Sequence, residues 1–510
     1  MAVVEQDGTI LIRNNYDEAG RLTSSVGKLG GTSHSVTLGY DGFGRRTSIT
    51  HSNGVTGAYT IDSADRITNI AWSGGISKTE DITYDKDSLI KQIVRDIGTF
   101  NYGYSQKNEI TSISYSGSET LNNLYVNTTL TQDKAGNITA YHGDSFGIFD
   151  NFVRGIGNIQ FWPDQSGRGQ MIGERSSNDT KSMIYYPDGH IKDFEKRSSG
   201  TLSIATSYFY DGLGRRIAKK KSVVSSGNIH VFNYYHLGLE EKILSSDLYV
   251  NTTSSVTSTS LFADAQGIDD HLFEINSGTG AKPYAKDHLG SILNSSALGG
   301  KSVYGLYGEN LGSAPSVEST EPVMYGFTGR ELDVETSYYY YRARYFDPKL
   351  ARFLTKDPKG HDAGDTNFYR YVKNNPVGLV DPKGENPLLI AAGVGGAVSA
   401  GIDLGVQLAQ NGGSISGVDW GSVGTAFVVG AAISTLMPTG ALFGRGGERA
   451  AQFGYSESAG LLNRGATRIG WSGPVTGADV ISLRTGAQHL DMPALGSAGF
   501  GCVTRTRWHY

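Results

Sequence analysis

The sequence predicts a mainly β protein that is built from repeated antiparallel hairpins. Two observations lead to this fold class. The composition favours strands and tight turns over helices, with 69 Gly and 29 Tyr against 6 Met and 5 Trp in 510 residues. A short pattern of Tyr, Asp, Gly and Arg also recurs, and neighbouring copies near the start lie roughly 20–24 residues apart, a period typical of stacked supersecondary units.

The recurring pattern has three close copies, at residues 16–23 (YDEAGRLT), 40–47 (YDGFGRRT) and 210–217 (YDGLGRRI). Weaker copies begin at Ile61, Tyr84, Tyr104, Gln132 and Tyr186. In each copy we expect the Tyr to end a strand, the Asp to cap a turn, the Gly to take a positive φ and the Arg to lead into the next strand. Stacked hairpins of this kind bury their Tyr and aliphatic faces in a continuous ribbon. The repeat tyrosines and arginines are therefore predicted to be structural.

This pattern resembles the YD repeat of Rhs proteins and of the toxin-enclosing subunits of insecticidal Tc complexes. Residues 284–291 (YAKDHLGS) are similar to the family's Tyr-x-x-Asp-His-Leu-Gly-Ser segment, and residues 326–354 resemble the Rhs-associated core. The resemblance covers about residues 10–387. It implies a spiral of β-hairpins wrapped into a hollow cocoon, with a YD-repeat shell over residues 1–319 and a closing core over residues 320–387. A variable C-terminal toxin segment is expected inside this shell.

Charge and cysteine content restrict the function classes. A net charge of −5 and a pI near 6.1 argue against a nucleic-acid surface over the whole molecule. Cys502 is the single cysteine, which excludes an internal disulfide and a Cys-rich zinc site. No metal or cofactor is predicted, and His288 is expected to be a buried, hydrogen-bonded histidine. The tyrosines at 338–341 are expected to pack in the wall rather than to form a platform for sugars or bases.

Two Asp-Pro-Lys-Gly motifs, which begin at Asp357 and Asp381, carry the candidate catalytic chemistry. The resemblance implies that this pair performs an aspartate-dependent self-cleavage just after the second motif, near Glu385 and Asn386. Two carboxylates that lie close together do not both ionise easily, so one keeps a proton as the acid while its partner activates water. Arg352 is predicted to orient or hold the charged carboxylate.

The same motifs are also good turn chemistry, so the alternative is that both are only turns. The family usually carries Leu after the second motif, whereas this chain has Glu385, followed by Asn386 and Pro387. A Pro near the scissile bond restricts its backbone, and a Glu does not suit an apolar subsite. If the natural chain stays intact, Glu385→Leu is expected to restore processing.

The composition changes sharply after Pro387. Residues 388–450 are rich in Gly and Ala and predict a small helical segment, in which residues 388–409 and 421–444 are each long enough to cross a bilayer. Both stretches are only weakly hydrophobic, and Asp403 is costly at the middle of a bilayer. Buried or transiently membrane-active helices are therefore predicted rather than resident transmembrane spans.

Residues 451–510 form the predicted variable toxin tail. His489 and Asp491 are the candidates for acid–base chemistry there, as a nuclease needs, although such a pair is more often a satisfied surface or turn pair. Glu457 is the last Glu of the chain. An ADP-ribosyltransferase, which needs a Glu late in its domain, is accordingly the less favoured class.

Two function classes compete. In the first, the chain encloses its own C-terminal toxin and delivers it in interbacterial competition or host attack, with a cognate immunity protein and a secretion machinery as further partners. In the second, it is a structural cell-surface protein that binds carbohydrate or another cell without processing. The first 15 residues predict no Sec signal peptide, so secretion or surface delivery needs another route. The start inside a repeat predicts a fragment of a longer ancestor.

Overall fold

The computed structural model describes residues 2–6, 9–117, 127–164, 168–237, 240–251, 255–294, 303–312, 315–385 and 388–389. These residues form β-strands, turns and three short 3-10 helices, and no α-helix is found among them. The prediction of a mainly β fold made of antiparallel hairpins is confirmed. Asn386, His489 and Asp491 lie outside the described residues, as do nearly all of the predicted helical segment and the whole predicted tail. No helix in the described ranges has the length and apolar content that a membrane span requires.

Two long antiparallel sheets, in which every strand pairs with its neighbours in sequence, make up most of the fold. The first sheet has twelve strands: β1 Ala2–Gln6, β2 Thr9–Tyr16, β3 Leu22–Leu29, β4 Thr32–Tyr40, β5 Arg46–His51, β6 Thr56–Ile61, β7 Ile67–Ser73, β8 Lys78–Tyr84, β9 Ile90–Arg95, β10 Gly98–Tyr104, β11 Ile110–Gly117 and β12 Thr128–Thr129. The second sheet has fifteen strands: β13 Thr131–Gln132, β14 Ile138–Tyr141, β15 Asp144–Phe149, β16 Phe152–Ile156, β17 Ile159–Pro163, β18 Met171–Arg175, β19 Asp179–Tyr185, β20 Ile191–Ser198, β21 Thr201–Tyr210, β22 Arg216–Val223, β23 Asn228–His236, β24 Ile243–Val250, β25 Ser258–Asp264, β26 His271–Asn276 and β27 Gly280–Pro283.

Shorter elements follow the second sheet. A four-stranded sheet contains β28 Glu331–Asp333, β29 Tyr338–Tyr341, β30 Arg344–Asp347 and β31 Arg352–Phe353, in that order. A two-stranded sheet pairs β32 Leu379–Val380 with β33 Leu388–Leu389. The 3-10 helices are Phe327–Gly329, Gly360–Ala363 and Val372–Asn374.

The repeated Tyr-Asp-x-x-Gly-Arg turn closes alternate hairpins, and residues 40–45 illustrate its geometry. The Asp41 N–H donates to the Arg45 carbonyl at 2.9 Å, and the Gly44 N–H donates to the Asp41 carbonyl at 3.0 Å. The Asp41 carboxylate accepts from the Arg45 backbone N–H at 2.9 Å and from the Arg45 side chain at 2.6 Å. Gly44 has a φ of +84°, which favours glycine. The predicted roles of the Asp and the Gly are confirmed.

The same turn hydrogen bonds recur at the weaker copies of the repeat, with one shift in register. The residue after Ile61, Tyr84, Tyr104 and Gln132 donates its N–H to the carbonyl four positions later, as Asp41 does. The copy that was predicted to begin at Tyr186 begins one residue earlier. There β19 ends at Tyr185, and Tyr186 takes the place that Asp has in the other turns. The register that starts at Tyr185 places Gly189, with a φ of +97°, at the glycine position of the turn. The register that starts at Tyr186 would place His190 there.

Repeat tyrosines join each turn to the turn before it. The Tyr40 hydroxyl donates to the Leu22 carbonyl at 2.8 Å, at the exit of the preceding turn. The Tyr84 hydroxyl donates to the Ile67 carbonyl at 2.8 Å in the same way. The Arg21 guanidinium covers the Tyr40 ring, 4.9 Å from its centroid. Tyr and Arg of the repeat are therefore structural, as predicted.

The ribbon curls so that the end of the second sheet packs against the start of the first. Strands β25 to β27 contact β3 and β4. The Phe273 ring on β26 meets the His34 ring on β4, with centroids 4.8 Å apart. The buried Arg46 guanidinium binds the Asp270 carboxylate through hydrogen bonds of 2.9 and 3.1 Å. A buried hydrophobic cluster drawn from β2–β9 and β24–β26 fills this contact.

The region that resembles the Rhs-associated core packs against β10 to β21 of the ribbon. All four tyrosines of β29 are buried, on both faces of the strand. The Tyr339 hydroxyl donates to the Gly308 carbonyl at 3.1 Å, and the Tyr340 hydroxyl donates to the Gly214 carbonyl at 3.2 Å. The Tyr338 hydroxyl donates to the Glu174 carboxylate at 3.3 Å, and the Tyr341 hydroxyl pairs with the Thr328 and Tyr371 hydroxyls at 2.8 and 3.1 Å. All four tyrosines therefore serve packing, as the sequence predicted, and each hydroxyl has a hydrogen-bond partner.

Candidate self-cleavage site

The two predicted catalytic aspartates meet at one guanidinium, that of Arg344. The Nη2 atom of Arg344 lies 2.7 Å from Asp357 Oδ2 and 3.3 Å from Asp381 Oδ2. These two carboxylate oxygens are therefore at most about 6 Å apart, the sum of the two distances. The three side chains are buried, with at most 6% of any of them exposed. The structure thus brings together two residues that are far apart in sequence.

A strand carries the arginine, and two turns carry the aspartates. Arg344 begins β30, an inner strand of the four-stranded sheet. Asp357 and Asp381 each open an Asp-Pro-Lys-Gly turn, in which the Gly360 and Gly384 N–H groups donate to the respective Asp carbonyls at 3.0 and 3.2 Å. Both motifs therefore do form turns. Their turn geometry is what aims the two carboxylates at the same guanidinium.

The peptide between Gly384 and Glu385 is held from both sides. Its carbonyl oxygen accepts a hydrogen bond from Arg344 Nε. Its N–H donates to Asp381 Oδ1 at 3.0 Å. A cavity of about 20 Å³ borders both aspartates and Glu385, and a volume of this size holds about one water molecule. A peptide bond, two carboxylates and space for water thus lie side by side.

Burial and charge set the protonation of the site. Burial raises the pKa of Asp357, and the neighbouring Arg344 charge offsets only part of that rise. Burial also lowers the pKa of Arg344, against the opposing effect of the Asp381 and Asp357 carboxylates. Lys359 pairs with Glu385, with Nζ and Oε2 3.1 Å apart. Three carboxyl groups thus face two cations, so one proton retained on a carboxyl group balances the local charge.

Arg352 is not brought to the aspartates. Its Nη2 donates to the Asn151 carbonyl at 2.6 Å, and its guanidinium lies 4.8 Å from the centroid of the Tyr369 ring. The contact that was predicted for Arg352 is made by Arg344, on the neighbouring strand. No local signal in the sequence separates Arg344 from Arg342 and Arg352, because all three lie in the segment that resembles the Rhs-associated core.

His288 lies in a separate buried network. Its Nδ1 is 2.9 Å from Glu80 Oε2, and its Nε2 is 3.1 Å from the Val377 carbonyl oxygen. Both partners accept hydrogen bonds, so both ring nitrogens carry protons and the ring is an imidazolium. Burial by itself lowers the pKa of His288, but the Glu80 carboxylate raises that pKa above its ordinary value. The prediction of a buried, hydrogen-bonded histidine is confirmed.

The same network contains a cluster of metal-ligating residue types. Among the described residues, Glu80, Asp287 and His288 bring ligand atoms within 4.8 Å of one another. Arg95 Nη2 lies 2.8 Å from the Glu80 carboxylate, and the ring nitrogens of His288 are protonated. Metal ligands must be deprotonated. A guanidinium and an imidazolium already balance these carboxylates, so the cluster does not suit a metal ion.

Comparison with known proteins agrees with the repeat architecture. A family model described as RHS Repeat matches residues 16–56. Salivary gland surface protein 1 of Aedes aegypti is 31% identical over 169 residues, which are 32% of this chain and 5% of that protein. Toxin subunit YenC1 of Yersinia entomophaga is 23% identical over 304 residues, which are 56% of this chain and 29% of that protein. The chain contains an RHS repeat. The resemblance read from its sequence is confirmed.

Solved structures share the fold of this RHS-repeat chain. The Tc holotoxin pore of Photorhabdus luminescens superposes with a TM-score of 0.58 at 19% identity, over 74% of this chain and 21% of that chain. At this identity the likeness concerns the fold alone. The chain spans less than a third of the length of the two relatives and of the solved structure.

Proposed function

We propose that this RHS-repeat chain is a shell that encloses a C-terminal toxic segment and releases it by one self-cleavage near Glu385. The observation that carries the proposal is the shared contact of Asp357 and Asp381 with Arg344 beside the Gly384–Glu385 peptide. The similarity to a toxin subunit of Yersinia entomophaga supports the link to a toxin. Delivery outside the cell, a cognate immunity protein and a secretion machinery belong to the same proposal.

The proposed reaction is the hydrolysis of one peptide bond. Asp381 is the base, because hydrogen bonds from the Glu385 N–H and from Arg344 stabilise its ionised form. Asp357 is the acid, because burial raises its pKa. Asp381 takes a proton from water, and the water oxygen bonds to the carbonyl carbon. Asp357 then gives its proton to the amide nitrogen as the C–N bond breaks, which leaves one carboxyl group and one amine.

Positioning replaces substrate binding in this reaction. The scissile bond is part of the same chain, so the reacting groups are already together and one turnover suffices. Arg344 donates to the Gly384 carbonyl oxygen, and a guanidinium in this place stabilises negative charge that develops on a carbonyl oxygen. The protein therefore needs no cofactor for this step.

The substitutions Asp357→Asn and Asp381→Asn test the proposal. Each is expected to abolish cleavage near Glu385 without unfolding the shell, because Asn keeps the size and the turn hydrogen bonds but cannot exchange the proton. The double variant is expected to match either single one, since the pair works as a unit. Denaturing gels and intact mass spectrometry of the purified full chain measure cleavage, and the melting temperature reports the fold.

Asp365→Asn is the matched control for these variants. Asp365 lies in the same region but pairs with Arg370 at 2.8 Å, so its substitution is expected to leave cleavage unchanged. Normal cleavage by a folded Asp381→Asn variant would show that the two motifs are only turns. Bacteria that produce the natural chain are also expected to grow more slowly than bacteria that produce Asp381→Asn, because release of the toxic segment needs the cut.

A second function, that of a structural cell-surface protein for carbohydrate binding or adhesion, is favoured by one comparison. The Aedes aegypti relative is named a surface protein and is 31% identical over the matched residues. The two functions differ in the state of the purified chain. Two pieces that stay associated support the carrier, whereas a single intact chain after prolonged incubation supports the surface protein.

A further inference from the structure

The two Asp-Pro-Lys-Gly motifs carry equivalent lysines that lie in different surroundings. Lys359, from the first motif, reaches across to the residue that follows the second motif, with Nζ 3.1 Å from Glu385 Oε2. Lys383, from the second motif, faces Glu241, with Nζ and Oε1 3.9 Å apart. The local sequence is the same for both lysines. Only Lys359 connects the two motifs to each other.

The backbone at each end of this ion pair is tied to one of the candidate catalytic carboxylates. The Lys359 N–H donates to Asp357 Oδ1 at 2.9 Å, and the Glu385 N–H donates to Asp381 Oδ1 at 3.0 Å. The ion pair between Lys359 and Glu385 therefore closes a ring that contains both aspartates. The ion pair thus adds a second link, beside the Arg344 contacts, between the two turns that carry the aspartates.

The Glu385 side chain has two cationic neighbours. The ammonium of Lys359 pairs with it, and the guanidinium of Arg344 borders the same cavity. A leucine at this position would offer the Lys359 ammonium no carboxylate. Where the family usually carries Leu, this chain thus has Glu385, and Lys359 is its basic partner.

We propose that Lys359 is a specificity-determining residue of the self-cleavage, which selects an acidic side chain at position 385. Lys359 pairs with the Glu385 carboxylate and thereby holds the adjoining backbone in register with Asp357 and Asp381. Lys359 is a positioning residue, because it exchanges no proton with the reacting groups. This inference rests on the proposed self-cleavage, and it adds which side chain the site accepts.

The test follows cleavage of the newly made full chain over time in a cell-free translation reaction. Lys359→Glu and Glu385→Lys are each expected to slow cleavage by up to about fivefold, the largest effect that a partly exposed ion pair supports. The charge-swapped double variant is expected to cleave within about twofold of the natural chain, since it rebuilds the attraction. Lys383→Glu is the matched control and is expected to cleave at the natural rate.

Variants that remove a charge without reversing it distinguish slower cleavage from a failure to fold. Lys359→Met and Glu385→Gln remove one charge each and are expected to slow cleavage by a smaller factor and to lose the salt sensitivity of the natural chain, because salt screens exposed ion pairs. Equal rates for Lys359→Met, Lys359→Glu and Lys383→Glu would overturn the inference while leaving the aspartate mechanism in place. Faster cleavage by Glu385→Leu would overturn it too, in favour of an apolar subsite. An uncleaved natural chain would instead overturn the self-cleavage itself, and this inference with it.

Discussion

At the residue scale, the candidate site depends on one arginine that contacts both carboxylates and a carbonyl. The Arg344→Lys variant is expected to fold, because Lys keeps the positive charge. Its cleavage is expected to be about a hundredfold slower, because Lys lacks the branched guanidinium that contacts Asp357, Asp381 and the Gly384 carbonyl together. The rate of cleavage of the full chain measures this effect.

Arg352→Lys is the control for the arginine prediction. Arg352 is also buried, but it contacts the Asn151 carbonyl and the Tyr369 ring instead of the aspartates. Its substitution is expected to lower the melting temperature while the folded protein cleaves at nearly the natural rate. Equal slowing by the Arg344 and Arg352 variants would assign both arginines a merely structural role.

His288 makes a pH-dependent contribution to stability. The charged groups that face it are Glu80, Asp287 and Arg95, and its pKa in the folded chain is raised. A group whose pKa is higher in the folded chain than in the unfolded chain stabilises the fold fully at pH values below its unfolded-state pKa, which is about 6.5 for His. This stabilisation is lost as the pH rises through the folded-state pKa. The difference in the free energy of unfolding between the natural chain and His288→Gln is expected to shrink from pH 6 to pH 9.

Urea unfolding at the two pH values measures that difference. The exposed His361 provides the control, since His361→Gln is expected to leave the free energy of unfolding nearly unchanged at both. A constant difference between the natural chain and His288→Gln across this range would mean that the His288 ring does not gain its stability from the imidazolium form.

At the element scale, the hydroxyl of each repeat tyrosine is expected to add stability to the ribbon. Tyr40→Phe removes the hydrogen bond to the Leu22 carbonyl and is expected to cost about 1 kcal/mol in the free energy of unfolding. Phe43→Ala, at the exposed tip of the same hairpin, is expected to stay within about 0.5 kcal/mol of the natural chain. Equal unfolding midpoints in urea for Tyr40→Phe and the natural chain would show that the Tyr40 hydroxyl does not stabilise the fold.

The strands and turns could be predicted from the sequence where the interactions that form them lie within a few residues of each other. The turn in which Asp accepts from the N–H four residues later, and in which Gly takes a positive φ, is encoded within five residues. The hairpins were therefore predicted correctly, apart from the one-residue shift at Tyr185. The partner of the two aspartates was not predictable in this way. Arg342, Arg344 and Arg352 all lie in the core-like segment, and only the packing of β30 between its neighbours selects Arg344. The Lys359–Glu385 pair depends on the same tertiary arrangement.

At the scale of the whole molecule, a buried ion pair joins the two ends of the ribbon. Arg46 on β5 and Lys286 after β27 both bind the Asp270 carboxylate. Arg46→Met is expected to destabilise the chain by about 3 kcal/mol, because it leaves a buried charge with one partner fewer. In limited proteolysis of the Arg46→Met variant, the first cuts are expected near Arg46, Asp270 and Lys286, where the two ends of the ribbon meet. A variant as stable and as protease-resistant as the natural chain would contradict this role.

The strand order has a consequence for how the chain is made. In both long sheets each strand pairs only with the strands just before and after it, so its hydrogen-bonding partners are always synthesised within a short time of it. Local pairing of this kind makes folding fast, because no long loop has to close first. The ribbon can therefore grow strand by strand as the chain leaves the ribosome, with each finished hairpin serving as the template for the next. If the proposed function is right, the toxic segment that follows the ribbon would emerge only after its enclosure has been built.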